Sequence, residues 1–289
     1  MSVDRLINLL VTITLIEMMV TIGLRVTFAE LVDTGRDWRL VARAAVANYL
    51  LVPAAAIGLL LLFQAHPLVA AGFLVLAVCP GAPYGPPFTG IAHGNVPMAV
   101  GLMVILAGSS ALLSPLLLTL LLPWVSAGQT VQIDPPGLIA TLLLTQLLPL
   151  LTGLLIGHWR PPLAAGLLGP CGLASKILNL AVVVLILATQ FQVLMKIRLL
   201  AFGGMLALLI ASLVIGWFAG ASDRASRKTM AVTTALRNAA VGLVIVTGNF
   251  PGTPAATAVL VYAIFALFGT LAVAMCLGRE ASTRQGARA

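Results

Sequence analysis

Thr233, Thr234, Arg237 and Asn238 lie within little more than one helical turn, followed at once by the small residues Ala239, Ala240 and Gly242. At helical spacing Thr233 and Arg237 share a face, with Thr234 and Asn238 on the adjoining ridge. Arginine keeps its charge and offers five donors in a rigid fork that matches a carboxylate. In apolar surroundings such a group has two uses: it recognises an anion, or it pairs with an internal acid, for which Glu17 is the candidate. Lys176 and Asn179, at i and i+3 beside Ser175, form a second polar patch in CGLASKILNLAVVV. Its competing reading is a lysine that snorkels to an interface. Glu17, near the middle of the first apolar run, either pairs with a basic group or takes up and releases a proton. Asn48 and Tyr49 stand just before Pro53. Arg25 near the end of its run reads as a snorkelling residue, and His93 as an interfacial one.

Those residues are carried by an unusually apolar chain. Of 289 residues 61% are hydrophobic and 8% charged, against roughly 25% charged in soluble proteins, so the chain is an all-α polytopic membrane protein. Given about 20 residues per crossing, nine segments qualify: Leu6 to Phe28, Leu40 to Phe63, Leu68 to about Ala92, Val96 to Leu122, Gly137 to Trp159, Leu163 to Leu194, Leu199 to Ala219, Thr229 to Gly248, and Pro254 to Leu277. The first run is too long for a signal peptide and reads as a true span. Cys79, Cys171 and Cys276 lack metal spacing and pack as small hydrophobes. The net charge of +8 is spread between the apolar runs, so no nucleic-acid partner is expected. Nothing resembles a phosphate-binding loop, a metal cluster or a hydrolytic triad. Neither an enzyme nor a cofactor is expected.

The third segment cannot be one plain helix. Between Cys79 and Asn95 the chain reads CPGAPYGPPFTGIAHGN, with Pro80, Gly81, Pro83, Gly85, Pro86 and Pro87 within eight residues. Proline removes a donor and clashes with the preceding turn, and glycine loses backbone order. The reading places an unwound segment here, through Pro87. Irregular backbone at membrane depth is tolerated only when buried in protein or facing a wet cavity, and transporters build central binding sites from such interruptions. The eighth segment, with its polar first half, is the other irregular one. The two are five spans apart and so run in opposite directions, as inverted repeats of four and five helices require.

Charge orients the chain. Arg36, Arg39, Arg43, Arg160, Arg224, Arg227, Lys228, Arg279, Arg284 and Arg288 fall on one side of a nine-span arrangement, against Arg5, Lys196 and Arg198 on the other. The positive-inside rule then puts the N-terminus outside and the C-terminus in the cytoplasm. Small-residue spacings at Gly153 and Gly157, and at Gly216 and Gly220, read as close helix packing.

With these residues in view, the chain resembles the bile acid:sodium symporter family and its bacterial relatives. The resemblance rests on MVTIGLRVTFAEL (Met19 to Leu31), NYLLVP (Asn48 to Pro53), PGAPYGPPFTGIAHGNVPMAV (Pro80 to Val100) and RNAAVGL (Arg237 to Leu243). It implies one transmembrane unit over residues 1–289 in a bacterial inner membrane: a panel of approximately 6–33 and 137–194, a core of approximately 37–122 and 197–278, and a cytoplasmic tail, 279–289. The third and eighth spans would cross at their unwound middles, and relatives move organic anions by alternating access, usually with sodium. Where the family carries a Ser-Asn pair that helps bind sodium, this chain has Gly85 and Pro86. Where it carries Glu-x-x-x-Gln-Asn, this chain has Thr233, Arg237 and Asn238, and Asn48 replaces a glutamine. A fixed positive charge opposes a bound cation, so Arg237 is expected to stand where a cation would otherwise sit. The expectation is a carrier of a small organic anion without two-sodium coupling, binding it with Arg237, Asn238, Thr233, Thr234, Lys176, Asn179 and Asn48. Glu17 is the candidate for proton coupling. The alternative is a binding or sensor protein that keeps the fold and no longer cycles.

Overall fold

The computed structural model describes residues 2–125, 133–194, 199–221 and 223–286, and among them every regular element is helical. In chain order these are α1 (Val3–Arg25), α2 (Phe28–Arg36), α3 (Trp38–Leu62), α4 (Pro67–Ala77), α5 (Gly85–Ile91), α6 (Val96–Val125) and α7 (Pro135–Trp159). They continue with α8 (Pro161–Thr189), α9 (Phe191–Leu194), α10 (Leu199–Ala219), α11 (Arg224–Ala235), α12 (Ala239–Asn249) and α13 (Pro254–Gly286). Lys196, Arg198 and Arg288, which enter the charge partition, lie outside the described residues.

Eight stretches among the described residues are long and apolar enough to cross a bilayer: α1, α3, α6, α7, α8, α10, α13, and α11 with α12 taken together. The segment starting near Leu68 is not a ninth of that kind. Its apolar helix α4 has 11 residues, about half the roughly 30 Å of hydrocarbon at 1.5 Å per residue. The chain then leaves the helix over 78–84 and resumes in the seven-residue α5. A further difference lies after the first span, where α2 is a helix of its own. Thr27 and Glu30 close a reciprocal capping box at its start, which satisfies two orphan donors and sets the new helix axis.

Two long helices each contain one wide turn, Ala47–Leu51 in α3 and Leu143–Leu147 in α7. Val52 N–H reaches back to Ala47 O, and Leu148 N–H to Leu143 O. Pro53 and Pro149 follow immediately. A proline has no N–H and its ring crowds the carbonyl four residues earlier, and the extra residue in the turn relieves that crowding. The same turns carry inward polar residues, Asn48 in α3 and Gln146 in α7, both buried.

Helix packing is closest between α1 and its neighbours α7 and α8, between α10 and α11, and between α4 and α13. Small residues permit it. A Cβ on Gly153 would lie 2.3 Å from Val20 O on α1, and one on Gly216 would lie 2.4 Å from Met230 O on α11. The α11–α12 stretch is 94% buried within the protein, against 11% for α8, which is why its polar first half is tolerated. Lys228 on α11 is buried too. It donates to Ala92 O at the end of α5 and to Leu277 O on α13, both at 2.8 Å, and so ties α11, α5 and α13 together rather than acting as a surface charge.

Gly216→Ala is expected to push α10 off α11 and cost about 1–3 kcal/mol, seen as a lowered Tm in detergent. Gly203→Ala, on the same helix with open space around it, is expected to leave Tm unchanged or slightly raised.

Candidate functional site

The interruption after α4 and the one between α11 and α12 meet. Gly81 turns the chain with φ +84°, and a Cβ there would lie 2.5 Å from Ala107 N on α6, so a side chain is excluded by both conformation and space. Residues 236–238 leave the helix, and Asn238 caps α12 by accepting from Val241 N at 3.3 Å. Asn238 N–H donates to Cys79 O at 2.8 Å, and its side-chain amide donates to Gly81 O at 3.4 Å. Ser114 on α6 donates to Val78 O at 2.6 Å. Carbonyls freed by one break are thus taken up by the other break and by α6.

The unwound stretch is shorter than the sequence reading had it. Pro80, Gly81 and Pro83 lie outside any helix, whereas Gly85, Pro86 and Pro87 form the first turn of α5. First-turn N–H groups have no intrahelical partner, so prolines there give up nothing.

Arg237 is 6% exposed and points into the junction. Its Nη1 donates to Asn48 Oδ1 at 3.0 Å and to Ala77 O at 3.3 Å, and its Nη2 donates to Thr234 O at 2.7 Å. Ala77 ends α4 and Thr234 lies in the last turn of α11, so the guanidinium lies against the negative ends of two helix dipoles. Its Nε–H has no partner. Among the described residues no carboxylate lies within ion-pair range of it. The internal salt bridge with Glu17 is not formed. Glu17 instead accepts from Thr21 Oγ1 at 2.8 Å and from Ser175 Oγ, joining α1 to α8.

The remaining expected residues divide between two places. Asn48 orients toward Arg237 by donating to Ala44 O at 2.9 Å and Thr234 Oγ1 at 3.4 Å. Thr233 turns its hydroxyl back to Thr229 O at 2.8 Å and its methyl group toward Gly85. Asn48, Thr233 and Thr234 therefore belong to the buried shell of the junction. Arg237 and Asn238 also line a cavity of about 340 Å³, together with Lys176 and Asn179 from α8 and Tyr84 from the first break. A larger hollow of about 600 Å³ between α3, α4, α10 and α13 is walled mainly by aliphatic and phenylalanine side chains, and among the described residues no lysine, arginine or carboxylate lines it.

Gln146 was not anticipated. It is fully buried, donates to Ala107 O and, at 2.9 Å, to Ser110 Oγ, and leaves its own oxygen without a partner. It thereby joins α7 to the α6 turn against which Gly81 packs. The available signal was a lone amide in an apolar run shortly before Pro149, the same local pattern as Asn48 before Pro53.

Sodium is the ion that the family resemblance implies, and the junction does not fit it. Gly85 and Pro86 supply no side-chain oxygen, and a guanidinium already holds Asn48 Oδ1, Ala77 O and Thr234 O. Among the described residues no three His, Cys, Asp or Glu side chains gather to hold any other metal.

The profile of the Sodium Bile acid symporter family matches residues 12–197. A probable chloroplastic sodium/metabolite cotransporter of Arabidopsis thaliana is 28% identical over 215 residues, covering 70% of this chain and 50% of the relative. An uncharacterized sodium-dependent transporter of Bacillus subtilis (strain 168) is 26% identical over 232 residues, covering 77% of this chain and 68% of the relative. A second probable chloroplastic sodium/metabolite cotransporter, from Oryza sativa subsp. japonica, is 23% identical over 241 residues, 81% of this chain and 55% of the relative. The match thus spans half to two-thirds of the length of these relatives.

Asn48→Ala removes an acceptor from a buried guanidinium and is expected to cost about 1.5–3 kcal/mol. Asn48→Asp supplies a carboxylate at the same place and is expected to recover much of that loss. Thermal unfolding in detergent should therefore rank Asn48→Asp above Asn48→Ala.

Proposed function

The chain belongs to the sodium bile acid symporter family, and we propose that it is a secondary transporter of a small organic anion that needs no pair of sodium ions. The observation that carries this reading is a positively charged cavity at a junction of broken helices, whose cation is covalently attached. Arg237 supplies permanently, from the chain itself, a charge that a sodium-coupled carrier would take from solution. The cation cannot leave, so coupling to the sodium gradient at this position has no physical carrier.

In this reading the protein lies in a bacterial inner membrane with its N-terminus outside and its C-terminus in the cytoplasm. The helices α1, α7 and α8 act as the panel, a grouping supported by their mutual packing. The other spans form the core, with α4–α5 and α11–α12 as the discontinuous members of two inverted repeats. The anion enters between panel and core, where Arg237 and Asn238 on the core face Lys176 and Asn179 on the panel. The first-turn amides of α12 at Ala239 and Ala240, which also line the cavity, add the positive end of a helix dipole. Movement of the core against the panel would then expose the anion to the other side. Glu17 serves chiefly to hold α1 to α8, since its oxygens accept from Thr21 and Ser175 and it lies off the cavity wall.

One observation favours a second reading, a binding protein on this fold that does not cycle. A cation that is always present cannot gate the return step by dissociating. Counterflow separates the two, because a sensor would bind the anion without exchanging it across the membrane.

In proteoliposomes, anion uptake is expected to stay within about twofold when sodium is replaced by potassium, and to be lost in Arg237→Gln; the twofold margin corresponds to about 0.4 kcal/mol. Steep dependence on sodium, with more than one ion per substrate, would end this reading. Glu17→Gln is expected to keep the wild-type pH profile of uptake, and a profile that loses its pH dependence would give Glu17 the proton-coupling role instead.

A further inference from the structure

Two fixed positive groups line the same cavity from different walls. Arg237 comes from the junction, and Lys176 projects from α8. Among the described residues no Asp or Glu lines the cavity, and Lys176 makes no hydrogen bond or ion pair. Glu17, on α1, is engaged by Thr21 and by Ser175, the neighbour of Lys176, and stays off the wall. The neutral polar groups Asn179 and Asn238 each stand close in sequence to one of the two charges. Apart from Thr14 and Tyr84 the rest of the lining is apolar, including Val11, Met18, Leu180 and Leu260. The lining therefore carries two basic side chains, from two different elements, among mainly apolar ones.

A ligand with one anionic group would match one cation and leave the other, buried Arg237 or exposed Lys176, without a counter-charge. A ligand with an anionic group at each end and a short hydrocarbon between them pairs with both and sets its hydrocarbon against the apolar lining. The buried Nε–H of Arg237, which no protein atom accepts, and the ammonium of Lys176 are the two basic donors without a partner. The volume, about 340 Å³, is at the small end of ligand pockets, which run from about 300 to 1,000 Å³. We propose that the substrate is a short-chain dianion, a dicarboxylate, with one carboxylate at Arg237 and the other at Lys176. This rests on the reading of the cavity as an anion site and adds the second charge to it.

The test uses the full-length purified protein in detergent at fixed ionic strength and neutral pH. Calorimetric titration compares the straight-chain dicarboxylates from malonate to adipate with the monoamide of each, which keeps length and polarity and removes one charge. At least one dicarboxylate should bind about tenfold or more tightly than its own monoamide, the size expected for one charge-assisted hydrogen bond. In Lys176→Gln that ratio should fall to within about twofold, with monoamide binding retained and the unliganded Tm unchanged. If acids and monoamides bind equally in the wild type, the second charge is not read and the dianion assignment falls, while the anion site stands. If the preference survives in Lys176→Gln, the assignment to Lys176 falls. If neither acids nor monoamides bind, the anion site falls and takes this inference with it.

Discussion

A chain that stops being helical at membrane depth must find partners for the polar backbone it frees, and here the two breaks find each other. Asn238 N–H closes on Cys79 O, and its side chain closes on Gly81 O while capping α12. Arg237, one residue earlier, reaches the end of α4 and the last turn of α11, which precedes it. The capping, the close approach of Gly81 to α6 and the burial of the α11–α12 stretch all follow from holding this junction closed. The guanidinium is what makes it unusual, because a full charge is buried there with oxygens around it and, among the described residues, no carboxylate.

That arrangement explains how a member of a family named for sodium symport can lack the sodium ligands implied by its resemblance to that family. Three oxygens from three segments surround the Arg237 head, as they would surround a small cation, and the two helix C-termini favour positive charge whatever its source. Unlike sodium, a guanidinium on a side chain keeps one concentration at all times. In the proposed reading the site is therefore positive in every state of the protein, and an anion would meet the same field from either side of the membrane. Lys176 and the first turn of α12 extend that field into the cavity.

Much of this was legible in the sequence. The proline and glycine run could not be a helix under any packing, so the first break was plain from local chemistry. Its end was not, because Gly85, Pro86 and Pro87 are harmless in a first turn and disruptive anywhere later. The polar cluster around Arg237 pointed to a site, but its partners lie far off in the chain, Asn48 at 189 residues and Ala77 at 160. Only the fold joins them, which is why pairing with Glu17 stood as the alternative. Thr233 matched a family ligand by position and yet turns its hydroxyl onto its own helix. Gln146 was readable in principle, since it repeats the pattern of an amide shortly before a proline that had singled out Asn48.

The most direct measurement exchanges the tethered cation for the ligands that the family resemblance implies. Thermal unfolding of the wild type and of the double variant Thr233→Glu, Arg237→Gln should be followed while sodium replaces potassium at constant ionic strength. If Arg237 holds the place of an ion, the wild type shows no difference between the two salts. The double variant gains a saturable stabilisation by sodium alone, growing as mass action requires. A saturable, sodium-specific rise in Tm of the wild type would contradict the account, and so would a folded double variant indifferent to sodium.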